Sequence, residues 1–272
     1  MKHVLSIQDL SCVGRCSLTV TLPVLSAMGC RCSVLPTAVL STHTAFPNPE
    51  VISLTDRIAA LDAHWQSQGI RFDAVLTGYM ADAQQAEAVL PLVQKYKAQG
   101  SKIIVDPAMG DHGKLYSRLD GDHVFAMSEI CREADILLPN LTEAAFLTEI
   151  PYREETDGAY LRALTGGLFR YYGAQALVIT GISEKEGSTG FCCADREEGM
   201  FVWQGPAVDR QCHGTGDIFA AVFTGALLRD KDLYESAVLA ADFVSKCVEN
   251  TPESTPHGVE FEQMLPWLWE QL

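Results

Sequence analysis

Residues 213–217, His-Gly-Thr-Gly-Asp, combine residue types that could stabilise the transfer of a negatively charged group. The glycines Gly214 and Gly216 let the backbone turn sharply and point N–H groups into one space. The apolar run that follows predicts a helix, whose N-terminus adds partial positive charge to that space. We therefore predict that Gly214, Thr215 and Gly216 form an anion hole, suited to the charge on a transferring phosphoryl group.

Asp217 follows these residues and falls in the first turn of the predicted helix. There it could accept a proton from an attacking hydroxyl group, as a general base. An alternative stays open, because a Gly-Thr-Gly-Asp run is also an ordinary loop before a capped helix. The apolar residues 218–222 that continue the helix favour the catalytic interpretation.

Other polar residues stand at the ends of short apolar runs, and such runs are typical of buried strands. These residues are Gln8-Asp9, Thr77-Gly78-Tyr79, Asp106, Asn140 and Thr180-Gly181. The runs alternate with longer helical patterns, which predicts an α/β fold with a mostly parallel sheet covered by helices on both faces. Ligands of such sheets bind beyond the carboxyl ends of the strands, so we expect these polar residues to belong to the site.

The elements that must position these residues can be predicted from hydrophobic periodicity. Strands are predicted at residues 3–7, 31–39, 73–77, 101–105, 134–138 and 175–180, with a hairpin at 189–194 and 200–203, and helices near 15–28, 52–68, 82–99, 215–228, 233–249 and 261–268. Residues 108–121 are rich in Gly and Asp without a clear period, which predicts a mobile loop. No linker or repeat divides residues 1–272, so we expect a single domain.

The amino-acid composition limits the kinds of partner that this protein could bind. The formal net charge of −15 argues against nucleic acid as a partner, since a phosphate backbone needs a basic face. No apolar run is long enough for a membrane span, and the start of the chain does not resemble a secretory signal. The nine cysteines form no paired metal-binding pattern, which is typical of small core residues in a reducing cytoplasm. We therefore expect a cytoplasmic protein with a small-molecule substrate.

Five ordered segments resemble the ribokinase superfamily, and within it the pyridoxal and hydroxymethylpyrimidine kinases. Residues 213–217 are similar to the anion-hole and base motif of that superfamily, residues 106–111 (DPAMGD) to a DPVMGD segment, and residues 139–144 (PNLTEA) to a PNxxE segment. Residues 41–46 (STHTAF) are similar to the SNHTGY stretch of pyridoxal kinases, and Gly78-Tyr79 to their GY pair. The resemblance implies a three-layer αβα sandwich.

The resemblance also implies which residues act on the nucleotide. Asn140, Glu143 and Asp106 would act on the Mg²⁺–ATP side, with Asp106 and Glu143 reaching the metal through water. Thr180 and Gly181 would lie at the nucleotide phosphates. The resemblance leaves a monovalent cation open and implies a homodimer. From the residues alone, Asn140 and Glu143 are equally typical of a helix start, with Asn as the cap and Glu three residues later.

The substrate pocket is implied by the same resemblance. Its residues would be His43, Thr44 and Tyr79 around a pyridine ring, with Gln8, Asp9 and Ser11 at its polar edge. Alternatives from the residues alone are a hydrogen-bonded structural histidine for His43 and a core aromatic for Tyr79.

One residue differs from the pattern of the pyridoxal kinases and affects the prediction of the substrate. Asp9 stands where pyridoxal kinases commonly have serine, which is closer to the hydroxymethylpyrimidine kinases, whereas the aspartate at 217 and the His43-Thr44 pair favour pyridoxal. The expected activity is ATP-dependent phosphorylation of the 5′-hydroxymethyl group of pyridoxal, pyridoxine or pyridoxamine. The alternatives are a hydroxymethylpyrimidine kinase and a non-catalytic B6-binding protein on the same fold.

Two further features would follow from this activity. Cys212 could add to the substrate aldehyde as a hemithioacetal, although an unreactive loop cysteine is the alternative. Residues 108–121, with Gly110, Gly113 and Gly121 as hinges, would form a lid that keeps water from ATP.

Overall fold

The computed structural model describes residues 1–183, 185, 187–208, 212–252, 255 and 257–272. The chain divides into two compact units, the first formed by Met1–Gly78 with Val208–Leu272 and the second by Tyr79–Ala207. The strands are β1 (His3–Ser11), β2 (Arg31–Leu40), β3 (Val51–Ser53), β4 (Ala74–Thr77), β5 (Lys102–Val105), β6 (Gly110–Asp111), β7 (Lys114–Leu115), β8 (Ile136–Leu137), β9 (Ala176–Ile182), β10 (Ser188–Asp195) and β11 (Gly199–Pro206).

The helices follow the same chain order. They are α1 (Leu18–Ala27), α2 (Thr55–Ser67), α3 (Ala83–Ala98), α4 (Gly121–Cys131), α5 (Leu141–Thr148), α6 (Gly158–Tyr172), α7 (Thr215–Leu227), α8 (Leu233–Asn250) and α9 (Leu265–Glu270), with a 3₁₀ turn at Glu262–Met264. Among the described residues, no helix is both long and apolar enough to cross a membrane.

In the first unit, β1 is the central strand and is almost entirely buried, as its apolar sequence predicts. It pairs in parallel with β2 on one side and β4 on the other, and β3 runs antiparallel to β2. Pro36 lies inside β2 opposite Gln8, and the register shifts immediately beyond that pair. A strand tolerates proline at such an irregularity, which explains why β2 continues to Leu40 despite Pro36. Helix α7 packs between α1 and α8.

In the second unit, β8 pairs in parallel with both β5 and β9, and all three strands are short and largely buried. The predicted hairpin is confirmed: β10 runs antiparallel to β9 and then to β11. Helix α6 packs against α5, where the Tyr172 hydroxyl donates to the Leu147 carbonyl at 2.7 Å. The predicted α/β class, with a mostly parallel sheet flanked by helices, is confirmed.

Residues 108–121, which the sequence predicts as a mobile loop, contain regular secondary structure that hydrophobic periodicity did not predict. Strands β6 and β7 form a two-stranded antiparallel hairpin, and Gly121 begins α4 behind the capping side chain of Asp120. Gly110 must be glycine here, because an added Cβ would lie 2.5 Å from the Lys114 carbonyl oxygen. Helices α4 and α6 are further elements that hydrophobic periodicity did not predict.

Candidate functional site

The N-terminus of α7 is built around Gly214, the N-cap residue of the helix. Its φ of 88° lies in the left-handed region, and a Cβ at this position would lie 2.2 Å from the Arg15 carbonyl oxygen. The segment is held in place by neighbouring backbone, since the Val259 amide donates to the His213 carbonyl at 3.1 Å. Glycine is therefore required at 214 by both conformation and space. It leaves the first amide groups of α7 without a side-chain cap, as an anion hole needs.

Asp217 lies in the first turn of α7. Burial of its carboxyl group raises its pKa to about 7, and the negative charge of Asp9 acts in the same direction, while a hydrogen bond from the Ser17 backbone amide opposes them. A general base is most effective when its pKa lies near the operating pH. The environment of Asp217 therefore suits the proton acceptor predicted from the sequence.

Asp9 lies near Asp217 but is itself nearly sealed from solvent, with 4 % of its surface exposed. Its two carboxylate oxygens accept hydrogen bonds from hydroxyl groups, one from Ser17 at 2.5 Å and the other from Ser11 at 3.1 Å. Burial raises the pKa of Asp9, and these two hydrogen bonds oppose the rise. Asp9 and Ser11, predicted at the edge of a substrate pocket, thus form a buried polar cluster with Ser17.

His43 is packed among residues of the same unit and is 4 % exposed. Its ring lies edge-on to Phe46, with centroids 4.9 Å apart, and 5.3 Å from the ring of His213. Gly14 permits this packing, because a Cβ there would lie 2.2 Å from Cδ2 of His43. The neighbouring Thr44 is exposed.

Gln8 is also buried in this unit. Its side-chain oxygen accepts a hydrogen bond from Thr21 at 3.3 Å, and its side chain fills the space where a Cβ of Gly78 would lie. Gln8 is thus anchored between β4 and α1.

In the second unit, Glu143 organises the start of α5. Its Oε2 accepts the Asn140 amide at 2.8 Å while Asn140 Oδ1 accepts the Glu143 amide at 3.0 Å, which is the capping box anticipated from the sequence. Its Oε1 accepts the Met109 amide at 2.9 Å, and Asn140 Nδ2 donates to the Gly110 carbonyl at 2.7 Å. The buried Glu143 and the half-buried Asn140 thus hold both a helix N-terminus and the base of the β6–β7 hairpin.

The buried position of Glu143, 2 % exposed, changes its acidity. Burial raises its pKa to about 7, and amide hydrogen bonds from Asn140, Met109 and Gly110 oppose the rise. Because both of its oxygens already accept amide hydrogen bonds, Glu143 is suited to positioning, or to acting on a metal through water, more than to direct ligation.

Asp106 is the half-buried carboxylate at the end of β5, and its Oδ1 accepts the Ala108 amide at 3.1 Å. Among the described residues, no cluster of three or more His, Cys, Asp or Glu side chains is arranged to hold a metal ion. Magnesium in phosphoryl-transfer sites usually keeps several waters and takes one or two carboxylates plus substrate phosphates. The hard oxygen of Asp106, supported by Glu143, fits such a sparse donor set.

The remaining predicted residues of the second unit are Thr180, Gly181 and Tyr79. Asn140 and Thr180 form a parallel β-bridge, and the Thr180 amide donates to the Pro139 carbonyl at 3.0 Å. Gly181 is exposed with φ 70°, and the half-buried Tyr79 ring lies 6.3 Å from that of Tyr116. Thr180 thus joins the Asn140–Glu143 group.

The structure therefore gathers the predicted residues into two groups, one in each unit. The first unit holds Gln8, Asp9, Ser11, His43, Thr44, Gly214, Thr215, Gly216 and Asp217, and the second holds Tyr79, Asp106, Asn140, Glu143, Thr180 and Gly181. Sequence reasoning missed Ser17, whose hydroxyl donates to Asp9. It also missed Thr142, whose hydroxyl accepts the Gly113 amide at 2.9 Å. Ser17 lies outside the quoted motifs, and Thr142 occupies one of the unspecified positions of the PNxxE segment, so no sequence signal marks either residue.

The fold and these two groups define an α/β protein in which one helix has an N-terminus without a side-chain cap and a half-buried carboxylate, Asp217, in its first turn. The sequence model of the phosphomethylpyrimidine kinase family matches residues 21–260. The chain belongs to this family.

Individual relatives carry related descriptions. The pyridoxal kinase of Dictyostelium discoideum is 29 % identical over 94 % of this chain and 90 % of its own. The crystal structure of pyridoxal kinase from Lactobacillus plantarum is 32 % identical, with a TM-score of 0.89 over 100 % of this chain and 98 % of its own. A Bacteroides thetaiotaomicron protein, provisionally described as a phosphomethylpyrimidine kinase and crystallised with pyridoxal, is also 32 % identical, with a TM-score of 0.93 over 98 % of this chain and 95 % of its own.

Proposed function

We propose that this protein is a kinase that transfers the γ-phosphoryl group of ATP to the 5′-hydroxymethyl group of pyridoxal, pyridoxine or pyridoxamine. The observation that carries the proposal is the position of the half-buried Asp217 in the first turn of a helix that begins at the left-handed Gly214. Desolvation of its carboxyl group, which raises its pKa to about 7, supports the same role. The two pyridoxal kinases described above support the choice of vitamin B6 vitamers as substrates.

The roles of the residues follow from their chemistry. Asp217 accepts the proton of the substrate hydroxyl, which makes the oxygen a better nucleophile. The backbone amides of Gly214, Thr215 and Gly216 donate hydrogen bonds to the phosphoryl oxygens as charge develops on them. His43 and Gln8, both buried and fixed by their neighbours, bound the substrate pocket, with Thr44 and Tyr79 as further contacts.

On the nucleotide side, Mg²⁺ supplies charge neutralisation at the phosphate oxygens when it is bound. Asp106 would hold this metal, and Glu143 would act on it through water while its carboxylate accepts the Met109 amide. Thr180 and Gly181 bind the nucleotide phosphates. The β6–β7 hairpin, fixed at its base by Glu143 and Asn140, serves as the lid that keeps water from the phosphoryl group.

We also propose that the chain works as one kinase domain, forms a homodimer and acts in the cytoplasm. The support for one domain is the extent of the family match, over residues 21–260. The support for the cytoplasm is the cysteine content: the structure describes all nine as free thiols.

A second candidate is phosphorylation of hydroxymethylpyrimidine. It is favoured by the description of the matching family and by the carboxylate at position 9. Both rings are flat and carry one reactive hydroxymethyl group, so the two substrates need the same base and the same anion hole. Only turnover separates them.

The test is a coupled assay of ADP release with MgATP, in which pyridoxal, pyridoxine, pyridoxamine and hydroxymethylpyrimidine are offered separately. We expect turnover with the pyridine vitamers and loss of kcat by about 10²–10⁴-fold in Asp217→Asn, the range for removal of a general base. Asp232→Asn is the matched control, because it neutralises a carboxylate that only caps α8. Turnover with the pyrimidine alone would select the second candidate, and absence of turnover with every substrate would refute both.

A further inference from the structure

Three segments of the first unit, distant in the sequence, meet at the carbonyl oxygen of Arg15. A Cβ added to Gly214 would lie 2.2 Å from this oxygen, and one added to Gly258 would lie 2.8 Å from it. Both glycines have positive φ values, 88° and 90°. Because glycine has no side chain to hold these segments apart, the backbone that begins α7 packs directly against the backbone of Arg15.

The segment of residues 257–262 binds the backbone of Arg15 by a hydrogen bond. The Arg15 amide donates to the His257 carbonyl at 2.7 Å. The same segment binds the chain immediately before α7, because the Val259 amide donates to the His213 carbonyl at 3.1 Å. The backbone at Arg15 and the backbone at His213 thus share one support.

The side chains of this supporting segment alternate between the core and Arg15. Val259 and Phe261 are buried. The residues that follow each of them bind the guanidinium of Arg15: its Nε donates to Glu262 Oε1 at 2.7 Å, and its Nη2 lies 3.7 Å from Glu260 Oε1. The side chain of Arg15 is therefore tied to the same segment that holds its backbone amide.

The supporting segment is itself anchored to the end of α8. The Glu260 amide donates to the Thr251 hydroxyl at 2.9 Å, and that hydroxyl donates to the Cys247 carbonyl at 2.7 Å. Thr251 is buried. These hydrogen bonds and the buried apolar side chains fix the position of the carboxylates that Arg15 binds.

We propose that Arg15 is a positioning residue for the anion hole: its ion pair with Glu262 ties its carbonyl group to the supporting segment, and Gly214 packs against that carbonyl. The inference rests on the proposed role of the backbone amides of residues 214–216. A partly exposed ion pair contributes little to the free energy of unfolding. The effect of Arg15 should therefore be on the geometry of the amides, and hence on the rate, more than on stability.

The test measures ADP release with MgATP and pyridoxal in the wild type, Arg15→Met, Glu262→Ala and the double variant. Methionine keeps much of the apolar stem of arginine and removes its charge. We expect kcat to fall about tenfold in each single variant, because displaced amides stabilise the transition state less well. The KM for MgATP should stay close to that of the wild type, because the amides act on charge that develops only in the transition state.

The double variant tests whether the two residues act through one contact. Its kcat should be no lower than that of Arg15→Met, since both changes remove the same ion pair. Losses that multiply in the double variant would overturn the proposal.

Two further variants separate positioning from a structural role. Arg15→Lys keeps the positive charge and should recover part of kcat. Arg132→Met is the matched control, because it removes an ion pair of 2.8 Å with Glu129 on α4 of the second unit and should keep the wild-type kcat. A lowered melting temperature with wild-type kcat in Arg15→Met would show a structural role alone and overturn the positioning role.

A second readout needs no turnover, so failure of this inference can be told from failure of the proposed function. The backbone amide resonances of residues 214–216 are recorded by ¹⁵N NMR in the ligand-free wild type, Arg15→Met and Arg132→Met. Resonances displaced in Arg15→Met alone support the link between Arg15 and the anion hole even if no substrate were found. Resonances at their wild-type positions in Arg15→Met would refute that link even in an active kinase.

Discussion

Replacement of Gly214 by alanine should disable the anion hole. A non-glycine residue at φ 88° costs roughly 1–2 kcal/mol of conformational free energy. The new Cβ would also lie 2.2 Å from the Arg15 carbonyl oxygen, more than about 1 Å inside an ordinary nonbonded separation of roughly 3.5 Å. Because both sides of this contact are backbone, no flexible side chain can move away.

The segment that carries the anion-hole amides must therefore shift by about 1 Å. A displacement of that size costs about 10²-fold in rate, or about 2.7 kcal/mol of transition-state stabilisation. The assay is steady-state ADP release with MgATP and pyridoxal, together with thermal unfolding. We expect kcat/KM to fall about 10²-fold.

Gly173→Ala is the matched control. Gly173 ends α6 with φ 69°, but an added Cβ there meets no atom within 4 Å. This variant should lose about 1 kcal/mol of stability and keep full activity. A Gly214→Ala enzyme with kcat/KM close to that of the wild type would refute the reasoning.

Three further predictions concern titration and burial. Because burial raises the pKa of Asp217 to about 7 and the base works deprotonated, kcat/KM should fall about tenfold per pH unit below that value, and a flat profile would contradict this. Glu143→Gln replaces one of the two acceptor oxygens by an NH₂ group, so one of the two backbone amides loses its acceptor. Urea unfolding should show a loss of about 1–3 kcal/mol, and unchanged stability would argue against the buried network. Burial lowers the pKa of His123 below 6.5, so the unfolded chain binds the proton more readily than the folded chain. The free energy of unfolding should therefore decrease as the pH falls below 6.5. The variant His123→Leu should show a smaller decrease when its free energy of unfolding is measured against pH.

Much of the fold could be predicted from local pattern. The buried strands β1, β4 and β5 and the helices α3, α7 and α8 follow directly from apolar periodicity and from capping residues. Helix α6 escaped prediction because its two central glycines, Gly166 and Gly167, oppose helix formation locally. Tertiary packing compensates for them, since Gly167 meets the Thr148 side chain of α5.

The candidate site could be predicted where its residues stand close together in the sequence. Asp217 and Gly214 stand in one short motif, and the Asn140–Glu143 capping box needs only a spacing of three residues. The loop predicted over residues 108–121 became a hairpin because Glu143 and Asn140, remote in sequence, bind its backbone. No local pattern within residues 108–121 contains that information.

The sequence by itself determined the class of fold, the helix that presents Asp217, and the residue types that transfer a phosphoryl group, because these depend on periodicity and on the chemistry of side chains. Only the tertiary structure decided the pKa values and the hydrogen bonds of those side chains. Burial raises the pKa values of Asp217 and Glu143, and the hydrogen bond from Ser17 to Asp9 forms only when β1 and α1 pack together. The physical reason is that desolvation and the hydrogen bonds of buried groups depend on neighbours brought together from distant parts of the chain.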